Sequence, residues 1–399
     1  MLYSSMMRFI MLCLACVLIS VLASGCDVPP PPPELPTATP GSQNPESEQS
    51  RFNLTPVRIA ADRGYTPLAA QPGSIYFVRA SRLWRISPDG SGEKELSGLP
   101  VSGPPQPSPD GKMVAFISER DVYVITSEGG TPRKIASGEM ADRQRLGWSH
   151  DGASVGYITF DLATVGNVQA WATPIAGGEP ILLATMSGGS VARGPAYERQ
   201  VQWSPDGKWA LVSGVDNPMR LLRWPLSSGR EGDVRDIPGG EPDWSPDSRT
   251  ILYTESLAGA LLTYDVLESE STAFLNEQQA DGTGLGEYAQ GPGPRWSPAS
   301  VGVDSDLLAY RSRSQEDGAP RVSIRRRGGR DLAPLPSFTN NPSWSPGGDQ
   351  LVVETGYLKD NPLGRSWEAT GLSIARVSIE GEHSVTPLTK DARWPAWGK

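Results

Sequence analysis

Side chains that could perform covalent chemistry are scarce in this chain of 399 residues. It contains two histidines, His150 and His383, and three cysteines, Cys13, Cys16 and Cys26. It has no Gly-x-Ser-x-Gly elbow for a serine nucleophile, no His-Glu-x-x-His pair, no zinc-type cysteine pair and no EF-hand loop. We therefore expect no catalytic residues, no metal site and no cofactor, and we expect that the protein is not an enzyme.

Cys26 is the residue whose position predicts a covalent modification. An apolar run over residues 9–23 follows Arg8. It is shorter than the about 20 residues of a membrane-spanning helix and fits the apolar part of a secretory signal peptide. Ser24 and Gly25 then precede Cys26, an arrangement that resembles the bacterial lipobox, although Ala23 stands where leucine is commoner. The resemblance implies cleavage before Cys26 and lipidation of its thiol; an uncleaved signal anchor is the alternative.

The segment after the cysteine is rich in proline. Residues 27–50 contain eight prolines and few apolar side chains, so they cannot build a core. Proline-rich chains favour extended polyproline II conformations. We therefore divide the N-terminal region into a signal peptide (1–25) and a lipidated cysteine with a disordered linker (26–50). A proline-rich docking motif is the alternative reading of the linker.

A repeated turn motif runs through residues 51–399. Six copies, spaced 41, 55, 41, 52 and 48 residues apart, begin at Pro107, Trp148, Trp203, Trp244, Trp296 and Trp344. Residues 203–207 read Trp-Ser-Pro-Asp-Gly. The tryptophan predicts a buried anchor on a short strand. Ser-Pro-Asp-Gly predicts a turn, because proline fixes φ, the aspartate caps amides and glycine accepts a positive φ. Four short strands per about 40–50 residues are typical of a β-propeller blade.

The repeated Pro-x-Trp-Ser-Pro-Asp-Gly unit resembles that of TolB-like propellers, which are relatives of WD-repeat proteins. The resemblance covers roughly residues 66–397. The chain departs from the motif at four positions, with Pro107 for Trp, His150 for Pro, and Ala299 and Gly347 for Asp. The resemblance implies an all-β propeller domain over residues 51–399 and a protein partner in the cell envelope, but it does not identify that partner.

The number of blades follows from counting strands. The six copies each begin a blade, and strand-like runs over residues 75–96 predict three strands of a seventh. We therefore expect seven four-stranded blades, with six or eight as alternatives. The missing inner strand could come from residues 393–397 or from residues 67–73. We favour the C-terminal strand because Trp397 retains the tryptophan anchor.

Long connections between predicted strands indicate the binding face. They fall mainly on the face opposite the repeated turns, at residues 159–167, 186–200, 276–293, 312–320 and 355–369. Long loops on a rigid scaffold commonly carry function, and aromatic and arginine side chains are the usual interface anchors. The candidate anchors in these loops are Arg193, Tyr197, Arg199, Tyr288, Tyr357, Arg365 and Trp367. The alternative is that these loops are merely solvated.

The net charge of the chain argues against nucleic acid as a partner. A formal net charge of −9 disfavours nucleic-acid binding, which needs phosphate-neutralising cations, and we read the basic run 325–330 as a solvated strand end. We expect a monomeric, extracytoplasmic module, lipid-anchored to the cell membrane, that acts as a scaffold for a protein partner. Carbohydrate or small-ligand binding in the central funnel is one alternative. A propeller hydrolase or lyase, with acids or histidines converging at the axis, is another.

Overall fold

The computed structural model describes residues 73–399 with several gaps. The gaps are residues 141–143, 162–166, 188–198, 214–218, 227–233, 238–239, 255–260, 266–269, 276–294, 297–306, 314–318, 327–333, 337, 362–363 and 377–382. The regular elements of the described residues are all β-strands. Within these residues, no helix is long and apolar enough to span a membrane.

Numbered along the chain, the strands form seven sheets. Sheet 1 contains β1 (Ser74–Arg79), β2 (Arg82–Ile86) and β3 (Lys94–Ser97). Sheet 2 contains β4 (Gln106–Pro107), β5 (Met113–Ser118), β6 (Asp121–Thr126) and β7 (Arg133–Ser137). The short strand β8 (Gln144–Arg145) leads into sheet 3, which contains β9 (Gly147–Trp148), β10 (Ser154–Asp161), β11 (Asn167–Pro174) and β12 (Ile181–Ser187).

The second half repeats this plan. Sheet 4 contains β13 (Arg199–Trp203), β14 (Trp209–Ser213), β15 (Met219–Arg223) and β16 (Val234–Ile237), with β8 parallel to β13. Sheet 5 contains β17 (Gly240–Trp244), β18 (Thr250–Thr254), β19 (Leu261–Asp265) and β20 (Glu270–Leu275). Sheet 6 contains β21 (Arg295–Trp296), β22 (Leu307–Arg313) and β23 (Pro320–Arg326) among the described residues. Sheet 7 contains β24 (Thr339–Trp344), β25 (Gln350–Asn361), β26 (Gly364–Arg376) and β27 (Ser384–Lys390); β28 (Arg393–Gly398) pairs with β1 in sheet 1.

Apolar side chains fill the space between successive sheets. The tryptophan of the repeat is buried in these clusters, as Trp203 shows between sheets 3 and 4 and Trp344 between sheets 6 and 7. Trp397 of β28 belongs to the cluster between sheets 7 and 1. Sheet 7 therefore packs against sheet 1. These observations confirm the prediction of an all-β propeller.

The repeated turn has the same hydrogen bonds in sheets 2 to 5. In sheet 4, the Ser204 hydroxyl donates to Asp206 Oδ1 at 2.7 Å and accepts the Trp209 N–H at 3.0 Å. Asp206 Oδ1 also accepts the Lys208 N–H at 3.1 Å, and Gly207 takes a φ of +71°. The equivalent serine–aspartate pairs are Ser108–Asp110, Ser149–Asp151 and Ser245–Asp247. The serine and aspartate side chains of the turn therefore satisfy the Lys208 and Trp209 N–H groups from within the turn.

Two copies of the turn depart from the motif and keep its shape. Ser248 stands at the glycine position with a φ of +61°, and its Oγ accepts the Asp206 N–H from the neighbouring turn at 2.8 Å. In sheet 7, Gly347 replaces the aspartate. Asp349 supplies the carboxylate instead, accepting the Ser345 hydroxyl at 3.2 Å. The turn therefore requires a carboxylate oxygen that accepts the serine hydroxyl, and this oxygen can come from either sequence position.

The chain direction defines two faces of the ring. The turn face carries the repeated turns. The connections from third to fourth strands begin beside these turns, since the Ser127 N–H donates to Lys112 O and the Trp224 N–H donates to Lys208 O. The hairpin face, at the other end of the strands, carries the connections from second to third strands. Successive sheets thus present like connections on like faces.

Of three connections predicted as long loops on the hairpin face, one is largely strand, and the described residues of the other two include paired strand ends. Residues 355–369 lie almost wholly within β25 and β26, whose pairing continues to Asn361 and Gly364. Residues 159–167 include the paired ends of β10 and β11, and residues 312–320 include those of β22 and β23. Strand pairing supplies partners for backbone groups that a loop would have to leave to water or side chains.

Candidate binding face

A hairpin of sheet 7 extends beyond the strands that flank it. The pairing of β24 with β25 ends at Thr355, and the pairing of β26 with β27 ends at Gly371. Residues 356–369 therefore pair only with each other among the described strands, and we call them the projecting hairpin. Its position between a second and a third strand places it on the hairpin face.

Tyr357 is an exposed aromatic residue of the projecting hairpin, with 42% of its surface accessible. Its hydroxyl donates to the carboxylate of Glu368, the residue opposite, which raises the pKa of Tyr357 and lowers the pKa of Glu368. Lys359 Nζ lies 3.3 Å from Glu368 Oε2. The Tyr357 hydroxyl and the Lys359 ammonium therefore both interact with the Glu368 carboxylate. The tyrosine ring is thus exposed while its hydroxyl is fixed, which suits packing against a partner.

The backbone brings three predicted anchors into this one hairpin. Tyr357 lies in β25, and Arg365 and Trp367 lie in β26. The register pairs Leu358 with Trp367 and Asp360 with Arg365. Sequence reasoning missed the charged pair Lys359 and Glu368. The turn-forming run at residues 361–364, Asn-Pro-Leu-Gly, is the signal that would have predicted a hairpin and hence their pairing.

Arg199 lies at the hairpin-face end of the first strand of sheet 4. It begins β13, and its guanidinium carbon is 5.1 Å from the ring centroid of Phe160, near the end of β10. The side chain is half-buried and stacks across the boundary between sheets 3 and 4. Phe160 is therefore a partner that sequence reasoning did not identify. Four other predicted residues, Cys26, Arg193, Tyr197 and Tyr288, lie outside the described residues.

Amide side chains on the inner strands bond to neighbouring backbone. Gln200 Nε2 donates to Pro242 O at 3.0 Å, which joins sheets 4 and 5. Gln144 donates to Ile158 O at 2.9 Å and accepts the Ile158 N–H at 2.7 Å. Within the part of the chain that the structure describes, no group of three or more His, Cys, Asp or Glu side chains could hold a metal ion. These amides fix the inner strands that position the hairpin face.

Comparisons with known proteins identify the fold. No family model matches the chain. An uncharacterized protein of Agrobacterium fabrum is 27% identical over 260 residues, which are 62% of this chain and 82% of that protein. The structure of prolyl oligopeptidase B from Galerina marginata is 11% identical with a TM-score of 0.51, over 81% of this chain and 52% of its own. TolB from Acinetobacter baumannii is 13% identical with a TM-score of 0.43, over 79% of this chain and 78% of its own. At these identities the similarity shows the fold alone, which is a β-propeller.

Two further relatives of this propeller are peptidases. Tricorn protease homolog 1 of Streptomyces coelicolor is 34% identical over 118 residues, which are 29% of this chain and 10% of that protein. The uncharacterized peptidase YuxL of Bacillus subtilis is 27% identical over 164 residues, which are 38% of this chain and 22% of that protein. The chain thus spans a small part of the length of both peptidases.

These peptidases contradict the prediction that the protein is not an enzyme. The prediction relied on the scarcity of histidines and on the lack of a Gly-x-Ser-x-Gly elbow. Sequence similarity to this propeller occurs in peptidases as well as in proteins without a described activity. Because the propeller is shared between these classes, a motif missing from this chain does not separate them.

Proposed function

We propose that this TolB-like propeller binds extended polypeptide segments of envelope proteins at its hairpin face, while a lipid on Cys26 tethers it outside the cytoplasmic membrane. The observation that carries the proposal is the projecting hairpin, which stands clear of the flanking strands with Tyr357 exposed. The tether is supported by the apolar run and the small residues before Cys26.

The backbone of the projecting hairpin favours a polypeptide as the ligand. The Gly356 N–H donates to Phe338 O at 3.2 Å. Beyond Gly356 the two strands pair only with each other among the described strands, so the outer edge of each strand presents backbone N–H and C=O groups. An extended peptide can add to such an edge, where backbone hydrogen bonds supply affinity and side chains supply specificity. Tyr357 and the charged pair Lys359 and Glu368 would contribute that specificity.

The peptidase relatives favour a second candidate function, in which the bound polypeptide is also cleaved. The similarity to Tricorn protease homolog 1 and to the peptidase YuxL is the observation behind it. Both candidates require that polypeptide binds first. Binding and cleavage are therefore measured together on the same substrate.

The test uses the full-length protein in detergent and fluorescein-labelled β-casein as an unfolded polypeptide. Fluorescence anisotropy is expected to show saturable binding, and Tyr357→Ala is expected to raise the Kd at least about tenfold, the effect of losing an aromatic anchor worth about 1.4 kcal/mol. Leu226→Ala, an exposed apolar residue on the turn face, is the matched control and should leave the Kd unchanged.

Gel electrophoresis of the same mixtures separates the two candidates. Casein fragments that accumulate with the wild type and more slowly with Tyr357→Ala would support cleavage. Binding without fragments would support holding alone. No saturable binding, or equal binding by wild type and Tyr357→Ala, would contradict the assignment of the hairpin face.

A further inference from the structure

The outermost strands of the seven sheets occupy equivalent positions but differ in composition. The far edge of each outermost strand pairs with no other described strand. Natural proteins protect such an edge with charged residues or proline, because it presents unpaired backbone N–H and C=O groups. At least one charged residue occurs in each of six of these strands, β3, β7, β16, β20, β23 and β27. The seventh, β12, reads Ile-Leu-Leu-Ala-Thr-Met-Ser, with neither a charged residue nor a proline.

A β-bulge can also protect an edge, but it does not set β12 apart from the other outermost strands. The pairing of β12 with β11 contains a register shift between Ala170 and Trp171. Register shifts also occur where β3, β7, β20 and β27 pair with their neighbours. The missing charge and the missing proline are therefore what distinguish β12.

Apolar side chains are exposed on both sides of β12. Ile181 is 41% exposed and Leu182 is 42% exposed. Ile181 pairs with Ala172, which belongs to the buried cluster between sheets 3 and 4. Leu182 pairs with Trp171, which packs against the cluster between sheets 2 and 3. Cross-strand partners share a side of their sheet, so Ile181 and Leu182 lie on opposite sides of sheet 3. A strand added to this edge would therefore meet an apolar side chain on each side of the sheet.

One side chain of sheet 4 contacts the backbone of β12. Arg220 Nη1 donates to Thr185 O at 3.3 Å, and Arg220 Nε donates to Asp236 Oδ1 at 3.2 Å. A carbonyl oxygen has two lone pairs, so Thr185 O can also accept a backbone N–H from an added strand. Glu179 and Pro180 precede β12, and because proline has no N–H to donate, they confine the pairing to the strand itself.

The composition of β12 favours an identical strand as its partner. Segments of about six or seven residues with low charge and no proline are those that pair with identical copies of themselves. Two copies of β12 bring no like charges together, although the whole chain carries a net charge of −9. The same pairing of β7 would bring Arg133 and Lys134 of two copies together. A twofold arrangement also covers both open edges at once.

We propose that β12 pairs antiparallel with β12 of a second copy of the chain, so that sheet 3 continues across a twofold axis into sheet 3 of that copy. Backbone hydrogen bonds join the two strands, and Ile181 and Leu182 of each copy pack against the added strand. This dimer replaces the monomer expected from the sequence, and it does not depend on the proposed function. The seven residues of β12 are fewer than the about 20–30 residues a side of a standard interface, so we expect a dissociation constant in about the micromolar range.

Sedimentation velocity of the full-length protein in detergent measures the equilibrium between monomer and dimer. Thr185 is exposed near the middle of β12, so Thr185→Lys places like charges of the two copies close together. The wild type is expected to form dimers as its concentration rises, and Thr185→Lys is expected to raise the dissociation constant at least about fivefold. Thr386→Lys, the same substitution at an exposed position of β27, is the matched control and should leave the dissociation constant unchanged.

Hydrogen exchange locates the interface between the two copies. Amide exchange of residues 181–187 should slow as the concentration of the wild type rises, because pairing gives their outward N–H groups new acceptors. Exchange of residues 384–390, which form β27, should not change with concentration. Both lysine variants should keep the circular dichroism spectrum of the wild type, since each substituted side chain is exposed.

Three results would overturn the proposed dimer. The first is a monomer at every concentration, whether or not residues 181–187 exchange slowly; slow exchange in a monomer would mean that another segment of the same chain covers the edge. The second is a dimer that Thr185→Lys weakens no more than Thr386→Lys does, which would place the interface elsewhere. The third is a monomer whose casein binding is lost in Thr185→Lys, which would assign the edge of β12 to a strand of another protein.

Discussion

The turn face and the hairpin face are built from the same blades, yet they follow opposite rules. On the turn face, the serine–aspartate bond recurs at 2.6 to 2.7 Å in sheets 2 to 5. On the hairpin face, the second-to-third connection ranges from two residues between β5 and β6 to the projecting hairpin of sheet 7. The turn face is constrained because its hydrogen bonds stabilise the fold. The hairpin face varies in length, and variable connections on a rigid scaffold commonly carry binding functions. Substitutions on the two faces should therefore separate stability from binding.

The largest difference in stability between substitutions on the two faces is expected when the tryptophan anchor of sheet 4 is removed. Trp203 is buried between sheets 3 and 4 and packs edge-on against Trp224, with ring centroids 5.4 Å apart. Trp203→Ala should lower the free energy of unfolding by about 3–5 kcal/mol, because it leaves a cavity. Tyr357→Ala, which truncates an exposed ring, should change it by less than about 0.5 kcal/mol. Urea unfolding followed by circular dichroism measures the free energy of unfolding of both variants. Similar losses in the two variants would contradict the proposed difference between the faces.

A smaller effect is expected within the repeated turn. Ser204 is buried, and its hydroxyl bonds both Asp206 and the Trp209 N–H. Ser204→Ala leaves the N–H unsatisfied and should lower the free energy of unfolding by about 1–3 kcal/mol.

Ser91 provides a matched control for this turn. Its hydroxyl also bonds an aspartate, Asp89, at 2.7 Å, but the pair is exposed to water. Ser91→Ala should therefore change the free energy of unfolding by less than about 0.5 kcal/mol. If both serine variants lost the same stability, burial would not be the cause of the difference.

The sequence predicted the repeated face better than the variable one, for a physical reason. The Trp-Ser-Pro-Asp-Gly unit encodes its anchor, its cap and its positive φ within five adjacent residues, so local reasoning suffices. The stacking of Arg199 on Phe160 joins residues 39 positions apart and depends on how two sheets pack. The exposed residues Ile181 and Val234 likewise come from β12 and β16, which no local pattern brings together.

The projecting hairpin also shows where local sequence reasoning fails, although its candidate residues were predicted. Its aromatic and arginine residues were identified as candidates because they occur in a long connection, and three of them share the hairpin. The connection was nevertheless expected to be a loop. The extension of β25 and β26 past the neighbouring strands depends on where β24 and β27 stop pairing, which local sequence reasoning does not show.

The smallest effect concerns two carboxylates, one on each face. Ser149 and the Ala153 N–H bond Asp151 and lower its pKa below the ordinary 3.8, while Tyr357 and Lys359 lower the pKa of Glu368. A carboxyl group with a lowered folded-state pKa stabilises the fold above its unfolded-state pKa, and this contribution disappears as the pH falls through the folded-state value. Stability should therefore decline below about pH 4 as both groups become protonated.

The two carboxylates should nevertheless differ in how much of that decline they carry. Asp151 bonds the buried Ser149 in a repeated turn, whereas Glu368 is exposed on the projecting hairpin, which pairs with no other described strand. Asp151→Asn should reduce the loss of stability between pH 5 and pH 3, and Glu368→Gln should reproduce the wild-type decline. The thermal midpoint of unfolding, measured for the wild type and both variants between pH 5 and pH 3, tests this expectation. A flatter decline in Glu368→Gln would mean that the projecting hairpin is coupled to the stability of the ring, and the division between a face for folding and a face for binding would fail.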